Sequence, residues 1–142
     1  MKYRRAFREC AMQVLSSLLI IENDPEETLC FVKKNFAPKV AEKDNFLDSL
    51  VFGVLENRIE IGEKISKFAP EWPLEKMDPV ERAILEVGIF EILKTDTPIP
   101  VILNEAIEIA KKFGDDTASK FINGVLDAVA RSVNQLKSDK KK

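Results

Sequence analysis

Histidine is missing altogether from this chain of 142 residues. That removes the side chain most often used for proton transfer near neutral pH and for holding metals. There are only two cysteines, Cys10 and Cys30, too few to complete the four ligands of a structural zinc site. Each sits among apolar neighbours in a helical pattern, so both are expected as buried, reduced thiols rather than as a disulfide. The chain has no glycine-rich phosphate loop and no nucleophile elbow. Its acids stand mostly at helix starts or on solvated faces, where capping explains them. The expectation is a protein that is not an enzyme, with no catalytic residue, no metal and no cofactor. No apolar run approaches the roughly 20 residues needed to cross a bilayer. The basic N-terminus is not followed by a signal-peptide core with a small-residue cleavage site. Cytoplasmic residence without membrane contact is therefore expected.

Apolar residues make up 45% of the chain and charged residues 32%, the balance of a folded domain with a proper core. Only five glycines are present, no alternating strand pattern or internal repeat occurs, and Ala, Leu, Glu and Lys are abundant. The periodicity predicts an all-α protein of about seven helices. The first runs from about Lys2 to Ile21, with Tyr3, Phe7, Cys10, Ala11, Val14 and Leu18 on one face. Asp24, Pro25 and Glu27 read as an N-cap, a first-turn proline and a capping-box acid for a second helix ending near Phe36. A third spans roughly Lys43 to Arg58, with a bend at Asn57, and a fourth stops before Pro70. Asp78, Pro79 and Glu81 repeat the start signal for a fifth helix to about Leu93, apolar nearly all round and so expected in the middle of a bundle. In the sixth helix Leu103, Ala106, Ile107, Ala110 and Phe113 should face inward before Gly114 ends it. Asp115 and Asp116 favour the start of a seventh helix, which reaches about Leu136. The connector from Ala69 to Met77 divides a single domain, 1–136, into two packed helical subdomains of about 1–68 and 78–136, and Trp72 is expected to plug a gap between layers. Residues 137–142 read as a basic, flexible tail.

The net charge of −2 argues against indiscriminate nucleic-acid binding over the whole surface. Charge is segregated, however. Lys2, Arg4, Arg5 and Arg8 precede any acid, whereas Glu22, Asp24, Glu26 and Glu27 crowd the next turn. The arginines form a cationic stripe at helical spacing, suited to bidentate phosphate contact or equally to a solvated helix face. Near the other end Ala118, Ile122, Val125, Leu126, Val129 and Val133 form an apolar stripe from which Phe121 falls about a quarter-turn away, beside Lys120. A ring placed there is either a stacking platform for an unpaired base or a satellite of the core.

Asn104-Glu105-Ala106-Ile107, then Ala110-Lys111-Lys112-Phe113-Gly114, then Lys120-Phe121-Ile122-Asn123-Gly124-Val125-Leu126-Asp127 resemble the C-terminal signature of the NusB family of bacterial transcription antitermination factors. The likeness extends to Val80-Glu81-Arg82-Ala83-Ile84-Leu85 and to the opening with Arg8-Glu9-Cys10-Ala11, and so covers nearly the whole chain. The resemblance implies a helical fold and binding of the boxA element of ribosomal RNA leader transcripts, a single-stranded RNA, within the RNA polymerase antitermination complex. On this chain it implies RNA contact by Lys2, Arg4, Arg5 and Arg8 and by Lys120 and Phe121. It also implies docking of NusE, a small-subunit ribosomal protein, at Glu81 with Glu75, and at an edge where Ser16 stands in place of the aromatic many relatives carry. Thr117-Ala118-Ser119 depart from the acidic, histidine-bearing version common in relatives. Asn104 and Glu105 read as structural tethers between helices. Two other readings remain open: a protein-only helical module, such as a homodimer that hides its basic helix, and an accessory domain of an RNA-modifying enzyme.

Overall fold

The structure, a computed structural model, describes residues 3–37, 39 and 44–140, with side chains described as far as 134. Among the described residues it contains seven α-helices: α1 (Arg4–Ile20), α2 (Pro25–Phe36), α3 (Phe46–Glu56), α4 (Arg58–Phe68), α5 (Pro79–Lys94), α6 (Ile99–Phe113) and α7 (Asp116–Lys140). A short 3-10 turn, Leu74–Lys76, lies in the connector before α5. The start signals operate as the chemistry requires. The Asp24 carboxylate accepts from the Glu27 amide, and Asp78 accepts from the amides of Val80 and Glu81. Asp115 does the same for the Ala118 amide at the head of α7. Asn57 separates α3 from α4 as expected. The third helix begins later than the pattern suggests, at Phe46, whose amide is met by the Asp44 carboxylate; the expected start at Lys43 lies outside the described residues, as do Lys2 and the last two lysines.

Ten consecutive residues of α5, from Ala83 to Ile92, are buried. A helix turns 100° per residue, so such a run leaves no side free and neighbours must enclose it. They do. α5 packs against α1, α3, α4, α6 and α7. Contacts between α6 and α7, α7 and α4, α4 and α3, and α3 and α1 close most of the ring. The ion pairs Arg5–Glu105 and Glu9–Lys112 close the last seam, between α1 and α6. The order around α5 is thus α1, α6, α7, α4, α3, with α2 laid chiefly against the outside of α1. The two ion pairs advance together along both helices, so α1 runs parallel to α6. The short link between α5 and α6 makes those two antiparallel, and α1 is therefore antiparallel to α5.

Enclosure of α5 traps two of its acids, Glu86 and Glu91, each about 1% exposed. Unpaired carboxylates at such depth would be strongly unfavourable, so each carries a cation. Arg8 grips Glu91 through Nε and Nη2 at 2.9–3.2 Å. Arg58 grips Glu86 at 2.8 and 3.0 Å, with Arg82 alongside at 3.7 Å.

Four expectations are corrected by the packing. Cys10 is buried but Cys30 is exposed, because α2 has only one face covered. Trp72 fills no gap: it is 55% exposed on the connector. Phe113, at the end of α6, is half exposed because α6 stops before a neighbour can cover it. Arg8, assigned to an exposed stripe, is 5% exposed.

Gly53 of α3 is where the enclosing helix comes closest: a Cβ there would run into the Phe90 ring of α5. Gly53→Ala should lower the urea-unfolding free energy by about 1–3 kcal/mol through overpacking, less the roughly 0.5–1 kcal/mol gained in helix propensity. Gly124→Ala, with nothing near the added methyl, should instead stabilise by about 0.5–1 kcal/mol. Equal shifts of the two urea midpoints would contradict this packing.

Candidate nucleic-acid interface

The three described arginines of the basic opening have different surroundings. Arg4 is half-buried, its guanidinium 3.8 Å from the centre of the Phe46 ring. Arg5 is exposed at the α1–α6 seam and makes a bidentate contact with Glu105 at 2.6 and 3.1 Å. Arg8 is sealed inside against Glu91. The reason lies in the width of the buried face of α1, which includes Met12 and Leu15 as well as the expected Phe7, Cys10, Ala11 and Val14, while Tyr3 is exposed and Leu18 only partly buried. Arg8 heads a row that continues at Met12 and Leu15, four and seven positions on, and that row faces α5. Glu91, within the enclosed stretch of the fifth helix, is the complementary signal. The pairing was therefore readable as a row ending in a cation and a buried helix containing an acid. Glu105 acts as the expected tether between helices, whereas Asn104 is exposed.

Phe121 is half-buried on α7, and its ring meets Trp72 edge-on, with centroids 6.4 Å apart and planes at 69°. Phe68, Pro70, Glu71 and the exposed Lys120 join these rings around a depression of about 280 Å³ at the α7–α4 seam. Trp72 is thus a surface aromatic that sequence reasoning placed in the interior. A partly exposed pair of rings beside a lysine has the chemistry of a stacking platform, and its lower edge is also packed on the core.

The other side of Phe121 opens onto a larger cleft of about 610 Å³, shared with Trp72, Met77, Asp78, Glu81 and Asp115. Residues assigned separately to RNA and to a protein partner therefore line one cavity. Burial, followed by the neighbouring charges of Asp78 and Asp115, holds the Glu81 carboxyl above its ordinary pKa. No cation lies within ion-pair distance of it among the described residues. Thr117 and Ala118 line the cleft too. Glu75 is exposed in the 3-10 turn next to Lys76, another lining residue. Ser16 is half-buried, its hydroxyl donating to the Gln13 carbonyl at 3.3 Å. Because α1 is antiparallel to α5, Ser16 lies toward the end of the bundle that carries Glu81. Arg5 is not brought to Phe121: α6 and α7 lie between their seams.

The sequence model of the NusB family matches residues 5–131, nearly the whole of this seven-helix arrangement. The chain belongs to the NusB family. The transcription antitermination protein NusB of Bacillus pumilus is 40% identical over 133 residues, covering 93% of this chain and 98% of that protein. The NusB of a crystal structure of antitermination factors NusB and NusE in complex with dsRNA superposes with a TM-score of 0.81 at 28% identity, covering 93% of this chain and 98% of that one. T. maritima NusB gives 0.79 at 31% identity, covering 92% and 93%. Within this NusB fold, the shared cleft and the Arg5 seam are the features whose chemistry suits anionic or basic ligands.

Two predictions follow from the contrasting pairs. Arg8→Ala strands a buried carboxylate and should cost about 3–5 kcal/mol in chemical denaturation, whereas Arg5→Ala, at an exposed pair, should cost no more than about 1 kcal/mol. Similar losses for both would remove the distinction. For the carboxyls, the Arg5 hydrogen bond holds Glu105 below its ordinary pKa despite some burial. Its stabilising effect is present above the usual value, about 4.3, and is lost as pH falls through the lowered one. Glu81 has the opposite sign: its proton is held more tightly in the folded state, so stability is lost as pH rises through the raised value. Carboxyl-carbon NMR titration should find the two midpoints on opposite sides of about 4.3, and Glu81→Gln should be more stable than wild type at neutral pH.

Proposed function

We propose that this chain is a transcription antitermination factor that holds a boxA-type single-stranded RNA jointly with a NusE-type ribosomal protein, in the antitermination complex of RNA polymerase during ribosomal RNA synthesis. The observation that carries the reading is membership of the NusB family together with close superposition on a NusB solved with NusE and RNA. The local chemistry is compatible with it. Arg5, with Arg4 and Lys2 beside it in sequence, supplies phosphate contacts at the α1–α6 seam; Lys120, Phe121 and the newly exposed Trp72 supply stacking and a cation at the α7–α4 seam. Glu81, flanked by Asp115 and Asp78, offers carboxylates to a basic partner, with Glu75 and Ser16 toward the same end. Arg8 leaves the list of RNA ligands and becomes a positioning residue that fixes the first turns of α1 on α5.

Two helices separate the RNA-binding seams, at about 8–10 Å each. A strand touching both must run across roughly 20 Å of surface, so both contacts need an element of several nucleotides. The cleft that Phe121 shares with Glu81 gives a physical basis for joint binding, since a protein seated there would adjoin the stacked base.

The test is fluorescence anisotropy with labelled boxA RNA and a scrambled control, with and without purified NusE, over a salt series. Arg5→Ala should weaken RNA binding and reduce the salt slope by about 0.7, the value for one phosphate contact on a single strand. Phe121→Ala should lose about 1–3 kcal/mol, the worth of one stacked base. Glu81→Lys should spare binding of RNA alone while abolishing its enhancement by NusE. Equal affinity for boxA and scrambled RNA, or an Arg5→Ala curve that overlays wild type, would refute the assignment.

A further inference from the structure

The outer face of α2 is not used by any of this. Thr28, Leu29 and Val32 are buried on α1, which turns the opposite side of the helix to solvent. That side carries Glu27, Cys30 and Lys34 within about 60° of one another at 100° per residue, with Phe31 along the border. All four are exposed. Phe31 is 62% and Phe36 60% exposed, and their rings meet edge-on at 6.3 Å. Lys33 is drawn inward to Asp48 of α3 at 2.6 Å, which leaves Lys34 as the outward cation at this end of the helix. Glu26 and Glu27 are the outward acids at the other end.

The stripe is complementary to itself. Glu27 and Lys34 stand at equal distances from the midpoint between Cys30 and Phe31. A two-fold axis through that midpoint, perpendicular to the helix, sets each Glu27 against the Lys34 of a second copy and each Phe31 against the Cys30 and Phe31 of that copy. We propose that α2 is an interface between two copies of this chain, its helices packing antiparallel about this axis. Self-complementarity of one patch is the condition for an isologous two-fold contact. With Glu26 and Glu27 outward at one end against Lys34 at the other, the face has no net attraction for a phosphate backbone, so it does not suit RNA. Because α2 lies outside the ring around α5, pairing here leaves the Arg5 seam and the Glu81 cleft uncovered, unlike a dimer that hides the basic helix. Helices of 12 residues meeting along one side form a contact at the small end of the interface range, so the association is weak and salt-sensitive.

Sedimentation at low salt and rising concentration tests this. The weight-average mass should climb from 16.1 kDa toward twice that value. E27K carries a cation at both ends of the stripe and K34E an acid at both, so each alone should remain nearer the monomer. An equimolar mixture of the two should regain association, because every 27–34 pair then joins opposite charges. Mild oxidation by a soluble disulfide such as oxidised glutathione, which takes up the two electrons and two protons that the paired thiols lose and leaves as two thiols, should link copies through Cys30: the crosslinked dimer should persist in C10S and vanish in C30S. A wild type that stays monomeric, a mixture that associates no better than its components, or a crosslink that survives C30S would each overturn the proposal. RNA affinity measured on E27K is expected to match wild type, so failure here is separable from failure of the RNA assignment.

Discussion

Two carboxylates buried in a helix with no free side set the conditions for the rest of this fold. Glu86 and Glu91 lie within the enclosed stretch of α5, where an unpaired charge would outweigh much of the net stability of a domain this size. Each therefore requires an arginine from a neighbour, and the arginines are long enough to reach only from particular places. Arg8 must come from the second turn of α1 and Arg58 from the first turn of α4. The ion pairs thus do what apolar packing alone does loosely: they fix the axial position of two surrounding helices against the central one. Ile and Leu side chains can slide past each other at modest cost, whereas a bidentate guanidinium displaced by one turn leaves both charges bare.

That registration has consequences at the surface. With Arg8 committed to Glu91, α1 can present only Arg4 and Arg5 from its described arginines, and Arg5 is itself steadied by Glu105 of α6. Arg4, Arg5 and Arg8 are therefore each held by a neighbouring ring or carboxylate. At the opposite side of the ring, the connector before α5 lays Trp72 over Phe121 and opens the cleft that reaches Glu81. An acid kept partly out of water, close to other acids and with no cation within ion-pair distance among the described residues, is a site whose electrostatics improve when a basic partner arrives. The fold thus separates the ion-paired seam that carries Arg5 from a cleft rich in carboxylates and leaves an aromatic pair beside the latter.

Much of this was legible in the chain. The Asp-Pro starts of α2 and α5, the break at Asn57 and the nearly all-round apolar pattern of α5 identified the helices and the central one among them, because capping and periodicity are local. The family signature supplied the candidate site residues. Illegible were the fates of individual amphipathic residues. Arg8 and Arg5 look alike in a helical projection of a single stripe; the difference is that Met12 and Leu15 extend the buried face to one side of it. Trp72 was assigned to the interior because large aromatics usually go there, yet the connector holds it outside against Phe121. Cys30 was assigned likewise, although α2 has neighbours on one side only.

Sequence alone determined which segments are helices, where the Asp-Pro-capped ones begin, which one sits at the centre and to which family the chain belongs, since all of these rest on short-range hydrogen bonding, periodicity and motif. Only the tertiary structure decided which arginine meets solvent, that Glu81 and Phe121 border a single cleft, that Arg5 and Phe121 lie on separate seams, and that α2 keeps an uncovered face. A helical pattern gives the angle of each side chain about its own axis. What stands at that angle depends on the order and direction of the neighbouring helices, which the packing around α5 sets.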